Sequence, residues 1–331
     1  MRVSPPRDAW PWSRRWLALP VTALAVLLSG CTVNAAGFIQ GVYAINDPEL
    51  KEISGLAPAA TGDFWGHNDH GNRARLFRLG REGQALGRLV VKGSSNLDWE
   101  AMARMPTPSG GCLLVGDIGD NLARRDSVHI EFIPEPEADA REARVAGHLV
   151  FRYPDGPRDA EGLAFDQRDR QIYVLSKRET PPALYRLPAP VGCSGMAAAE
   201  DADPVLAEYV GDVELPPPPM STFFEGPRRA LGFNLPTGLD ITPDGQRMAV
   251  LSYGAVFVYD RAPGERWEEA LRRYPGRRVL PTMEQAESII LSSDGSLAVV
   301  ASEGKQGQMV HIALPDIDTT RPRLPGDHPL P

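Results

Sequence analysis

Residues 161–176 read EGLAFDQRDRQIYVLS: a short apolar segment, a polar turn, then a run of β-favouring residues. Strand, turn and strand in that order make a β-hairpin. The pattern recurs. Four further segments open on a small or acidic residue followed by apolar ones: SGLA at 54, EAMA at 100, TGLD at 237 and ESII at 287. Each meets a turn rich in Gly, Asp or Pro (TGD, TPSGG, PDG, SDG) and then a strand-like run: FWGHN, CLLVG, MAVLS and LAVVAS. The spacing is held as well as the pattern. Gly55 to Asp69, Gly162 to Ser176, Gly238 to Ser252 and Ser288 to Ser302 are each fourteen residues apart, and Ala101 to Asp117 is sixteen.

Third strands follow at RLFRL, VHIEF, ALYRL, AVFVYD and QMVHIAL, and fourth strands at LGRLVV, GHLVFRY, VLAEYVGDV and RRVLP. Only the last repeat lacks a fourth strand, and GFIQGVYAI at 37–45 can supply it. Four antiparallel strands repeated radially protect sheet edges and define a β-propeller. The expectation is an all-β chain with one propeller domain over 37–315. It has five blades closed by the N-terminal strand, with six blades as the alternative if the long insertions at 120–150 or 195–236 fold into another. ELPPPPMSTFFEGP, at 214–227, carries four consecutive prolines that cannot lie in a central strand and reads as an extended loop. One helical turn is expected, within GERWEEALRRY at 264–274, and residues 316–331 read as a disordered Pro-rich tail. Five hairpins in one register argue against a β-sandwich.

The first thirty residues are not part of that domain. Arg14 and Arg15 precede an apolar stretch from Trp16 to Leu28, too short to span a bilayer comfortably and suited to a signal peptide. LSGC at 28–31 resembles the lipobox of bacterial lipoproteins, which implies lipidation of Cys31, a short lipidated linker over 31–36, and attachment to membrane without a spanning helix. Thr32 after that cysteine implies, by the same resemblance, the outer membrane of the cell envelope. Residues 1–30 hold four of the 35 basic residues and one of the 43 acidic ones, so the mature chain carries a net charge of −11. Nucleic acid, which calls for a basic footprint, is therefore not an expected partner. Cys112 and Cys193 remain, and sequence leaves open whether they pair. A zinc site is not expected, because neither cysteine has a CxxC or histidine partner nearby.

Aligning the repeats gives two rings. Ser54, Glu100, Glu161, Thr237 and Glu287 start the motifs. Asp69, Asp117, Ser176, Ser252 and Ser302 end the second strands, flanked by Asn68, Lys177, Tyr253 and Glu303. In a propeller the first strands line the central channel, so both rings are candidates for its mouth. Three glutamates around one axis repel one another unless protons, hydrogen bonds or cations compensate. A hard divalent ion such as Ca²⁺ takes carboxylate and amide oxygens, and Glu100, Asp117, Asp120, Asn121, Glu161 and Glu287 are its candidate ligands. Lys177 is the internal alternative. Asp117 to Asn121 can equally be a turn, with Asp accepting backbone N–H bonds and Gly at positive φ. Glu100 and His70 are the candidate acid–base residues, and Trp99 and Tyr253 can stack on a ligand. No Gly-x-Ser-x-Gly, P-loop or His-Glu-x-x-His motif occurs.

The EGLA…IYVLS and DWEAMA…LLVGDIGDN patterns resemble secreted bacterial propellers of the phytase-like, or esterase-like, group, and more remotely gluconolactonase and regucalcin-like propellers. The resemblance spans most of 50–305 through short motifs. It implies axial carboxylates that bind calcium or another divalent ion, with phosphoester or lactone hydrolysis in some members. Glu161 and Glu287 match the acidic motif position, Glu100 matches it in a Trp-Glu form, and Ser54 and Thr237 depart from it. Three functions are compatible with these residues: an envelope lipoprotein binding a small molecule or envelope protein at its channel mouth, a metal-dependent hydrolase, and an assembly scaffold.

Overall fold

The computed structural model describes residues 37–194, 203–225, 227–305 and 307–324. The segment read as a signal peptide, the expected lipidated linker and Cys31 lie outside the described residues.

The chain is a five-bladed β-propeller. The first blade runs outward through Ile53–Pro58, Phe64–Asn68, Arg75–Leu79 and Ala85–Lys92, and the second through Trp99–Thr107, Gly110–Asp117, Val128–Pro134 and Gly147–Arg152. Ala160–Asp166, Gln171–Ser176, Ala183–Pro188 and Glu208–Asp212 form the third, and Pro236–Ile241, Arg247–Ser252, Ala255–Asp260 and Gly276–Val279 the fourth. In the fifth, Ala286–Leu291, Leu297–Ser302 and Gln308–Ala313 are completed by Ile39–Ala44, which pairs antiparallel with Gln308–Ala313. The N-terminal strand therefore closes the ring. Each innermost strand packs against the next, and the first against the last.

The long insertions build edges, not a sixth blade. Glu142–Arg144 adds a fifth strand to the first blade, parallel to Ala85–Lys92, and Val205–Leu206 does the same for the second, parallel to Gly147–Arg152. VLAEYVGDV, which reads as one strand in sequence, is thus shared between two blades.

Blade strands are buried on both faces, and alternation sends their side chains to opposite neighbours. In Arg247–Ser252, Met248 and Val250 join the apolar cluster between the third and fourth blades, whereas Ala249 and Leu251 join the one between the fourth and fifth. Five such clusters fill the five blade interfaces, so the core is divided among them. Cys112 and Cys193 form a disulfide that links the second blade to the segment leaving the third. At the outer turns the reading of PDG and SDG holds: Gly245 and Gly295 sit at φ +66° and +67°, with Asp244 and Asp294 accepting backbone N–H bonds.

Two segments differ from expectation. The Pro-rich insertion is extended only through its prolines; Met220–Glu225 and Pro227–Gly232 then form short helices, the second opened by a proline whose fixed φ suits a first helical position. The tail read as disordered lies along the fourth blade as far as residue 324. Asp260 accepts the Asp318 amide at 2.9 Å, Arg272 accepts the Leu324 amide at 2.7 Å, and Arg321 stands 3.4 Å from the Asp260 carboxylate. A buried aspartate bonded to Arg247 holds capacity for these extra donors, which is why the chain settles there. The expected helical turn occurs at Trp267–Ala270.

Candidate functional site

Every innermost strand is bulged at its start. The pairing register shifts between Ile53 and Gly55, Trp99 and Ala101, Ala160 and Gly162, Pro236 and Gly238, and Ala286 and Ser288. The extra residue in each is Ser54, Glu100, Glu161, Thr237 or Glu287, so the motif-start ring is a ring of β-bulges. A bulge re-aims its side chain without breaking the sheet, and here five do so at one end of the axis. Ser54 and Thr237, which break the acidic pattern, fasten neighbouring blades: Ser54 Oγ donates to the Glu100 carbonyl at 2.8 Å and Thr237 Oγ1 to the Ala286 carbonyl at 2.6 Å.

The strand-end ring has a different role from the one its register suggested. In the first blade the residue facing Ile53 is Asn68, not Asp69, because that hairpin is one residue shorter. The equivalent residues Asn68, Asp117, Ser176, Ser252 and Ser302 are occupied by backbone. Asn68 Oδ1 accepts the Lys51 and Glu52 amides at 3.1 and 3.0 Å. Asp117 accepts the Leu97 and Asp98 amides and, at 2.6 Å, the Arg125 guanidinium. Ser176, Ser252 and Ser302 accept the amides of Ala183, Ala255 and Gln308. Asp117 is wholly buried as it makes these bonds. Asp120 accepts the Arg125 amide, and Asn121 bonds the Arg178 guanidinium, so both shape the turn and rim and stand apart from the glutamates.

One position further on, or two in the second blade, the chain returns to the mouth. The amides of Asp69, Gly119, Lys177, Tyr253 and Glu303 donate to the carbonyls of Glu52, Asp98, Asp159, Leu235 and Gln285, which makes these five equivalent. The second blade places a glycine there, and not for its φ. A Cβ on Gly119 would fall 2.5 Å from both Asp98 Cγ and Glu100 Oε1. The missing side chain is the space into which those two carboxyl groups converge.

The mouth is thus a circuit. Lys177 Nζ is paired with Glu161 and donates to Tyr253 Oη at 3.1 Å; Tyr253 Oη donates to Glu287 Oε1 at 3.0 Å. Gln285 Nε2 links Glu287 and Glu303, each at 3.0 Å. The other side holds Asp69, His70 and Asp98, whose potential ligand atoms lie within 4.8 Å of one another, and Glu100, Asp159 and Glu161 form a second such group. Cations are unevenly shared: Lys177 takes Glu161, Arg178 takes Asp159 and Arg125 takes Asp117. Among the described residues Asp69, Asp98 and Glu100 have no lysine or arginine within ion-pair distance. His70 is exposed beside Asp69 and Asp98; Trp99 is fully buried against His67, away from any ligand.

Burial and mutual repulsion raise the acids. Desolvation, then the charges of Glu161, Asp69 and Asp98, hold Glu100 well above the usual carboxylate range. Desolvation pushes Glu161 up to about 8 and Glu287 to about 7 against the opposing pull of Lys177. Glu303 rises to about 7 and Asp98 to about 6, again chiefly through burial. Asp98, Asp159 and Gln285, which the motif alignment passed over, precede the motif by two residues in their blades.

No family model matches the chain, and no curated protein matches it. Among solved structures it is similar to the Kuenenia stuttgartiensis hydrazine synthase (13% identity, TM-score 0.41, over 80% of this chain and 72% of that one). It is also similar to the β-propeller domain of Myceliophteria thermophila Cps50 (Swd1), at 11% identity and TM-score 0.39 over 79% of this chain and 82% of that one.

Proposed function

We propose that the chain is an envelope-anchored binding propeller, held to the membrane by lipid on Cys31, whose mouth takes a divalent cation and through it an oxygen-rich ligand or an envelope partner. The observation that carries this reading is the convergence of Asp98 and Glu100 over Gly119, beside Asp69, without a lysine or arginine partner. An all-oxygen set of that kind suits Ca²⁺, which accepts irregular geometry and completes its six to eight ligands with carbonyls and water. The cation would replace the proton that burial favours on Glu100 and offset the cost of ionising the half-buried Asp98.

Calorimetric titration of the full-length protein with Ca²⁺ tests the reading. One saturable site is expected, lost in Glu100→Gln and Asp98→Asn and weakened by at least about tenfold in Gly119→Ala, which displaces both carboxyl groups. Absence of binding, or unchanged binding in all three variants, overturns it. Fatty-acid labelling that disappears in Cys31→Ala tests the anchor separately.

A hydrolytic variant of the same reading rests on His70, exposed beside Asp69 and Asp98, as a base for ion-bound water. It requires Ca²⁺-dependent turnover of a phosphoester or lactone that His70→Ala abolishes.

A further inference from the structure

A second group of ligand-type side chains lies away from the axis, on the face of the second blade that packs toward the first. His129 and Glu131 are alternate residues of Val128–Pro134 and so share a face. His148, in Gly147–Arg152, pairs directly opposite Glu131. His129 Nε2 and His148 Nε2 stand 3.7 and 3.9 Å from Glu131 Oε1, and the two rings meet edge to face with centroids 5.5 Å apart.

Glu131 is the unusual member. It is 1% exposed, and its neighbour in register, Val115, belongs to the apolar cluster between the first two blades. Its Oε1 accepts Ser94 Oγ at 2.6 Å, whereas its Oε2 is buried without a hydrogen-bond partner. Leaving a carboxylate oxygen so placed costs stability. Neither histidine relieves it, since both nitrogens are beyond hydrogen-bond length. The three groups are spaced to surround something rather than to bond one another.

Two imidazole nitrogens and one carboxylate oxygen are the donor set of zinc sites that keep an open position. With bonds of about 2.0–2.2 Å, donors around a tetrahedral ion stand roughly 3.4 Å apart. The two histidine-to-carboxylate separations exceed that by a few tenths of an ångström, and all three donor atoms lie within 4.8 Å of one another, gaps that side-chain rotation closes. Both histidines are partly exposed, which gives an entry path.

We propose that His129, Glu131 and His148 bind one zinc-class divalent ion, with Ser94 orienting the carboxylate and the fourth position left to water or a small anionic ligand. Nothing in the cysteine spacing hints at this site, and it is independent of the axial one. Its nitrogen donors select first-row transition metals over Ca²⁺.

Chelator-treated full-length protein titrated with Co²⁺ tests it. One equivalent of Co²⁺ should give the intense visible absorption of a tetrahedral centre, be displaced by Zn²⁺ and be indifferent to Ca²⁺. His129→Ala and His148→Ala should each weaken binding by at least about tenfold, while Glu100→Gln leaves it unchanged. Absence of saturable absorption in the unsubstituted protein overturns the proposal without recourse to any variant. Retention of the absorption in a folded His129→Ala/His148→Ala double variant also overturns it.

Discussion

Lys177 decides the chemistry of half the mouth. Its ammonium is buried between Glu161 and Tyr253, and through Tyr253 it reaches Glu287. Removing one partner of a buried ion pair leaves a charge that water cannot reach. Lys177→Met should therefore cost about 3 kcal/mol near pH 8, and progressively less as the pH falls and Glu161 takes up a proton. Chemical denaturation of the variant across that range checks both the cost and its slope. Glu100 has no comparable partner, which is why the two glutamates, one motif apart in sequence, are assigned different work.

At the scale of elements, the disulfide and the bulges do what the strands alone cannot. Cys112 lies in the second strand of the second blade and Cys193 beyond the third strand of the third, 81 residues away. Their bond restrains the unfolded chain, and a native disulfide is typically worth about 2–4 kcal/mol. A Cys112→Ala/Cys193→Ala variant should lose that much in denaturant unfolding, with the mouth's cation binding retained because both residues lie outside it. The bulges carry the site. Each is local to its own hairpin, so the mouth residues are placed by strand pairing rather than by long loops. Much of this was legible in sequence, since a repeated hairpin leaves a repeated mark: Glu100, Glu161 and Glu287 could be aligned by motif alone. Asp69 falls in the wrong ring by that count, because fourteen residues in the shorter first hairpin land one residue beyond Asn68. Asp98 and Asp159 escaped because their position holds Glu, Asp, Asp, Leu and Gln around the ring, a set with no shared type to align. Gly119 was read as a turn glycine, since no sequence pattern distinguishes a glycine needed for φ from one needed for the room it leaves.

For the molecule as a whole, the raised acids link stability to pH. Glu161, Glu287 and Glu303 rise from an ordinary 4.5 to about 8, 7 and 7, and Asp240, half-buried between the fourth and fifth blades, rises from 3.8 to about 7. The folded chain thus holds more protons than the unfolded one from about pH 4 upward, so stability declines as the pH climbs through the folded values. The apo protein should melt at a lower temperature at about pH 8 than at about pH 5.5, and saturating Ca²⁺ should recover more of the loss at the higher pH, where it competes with fewer protons. Melting curves at both values, with and without Ca²⁺, check this, and a flat profile would contradict the burial described for these groups.

Five similar blades would offer a bound molecule five interchangeable orientations about the axis. The ammonium of Lys177, beside Glu161 in the third blade, and the carboxyl groups converging over Gly119 in the second remove that degeneracy. The ring has a compass direction. A molecule with one anionic and one cationic end would meet different neighbours in adjacent blades, so it would be sorted by which way it points as well as by what it carries.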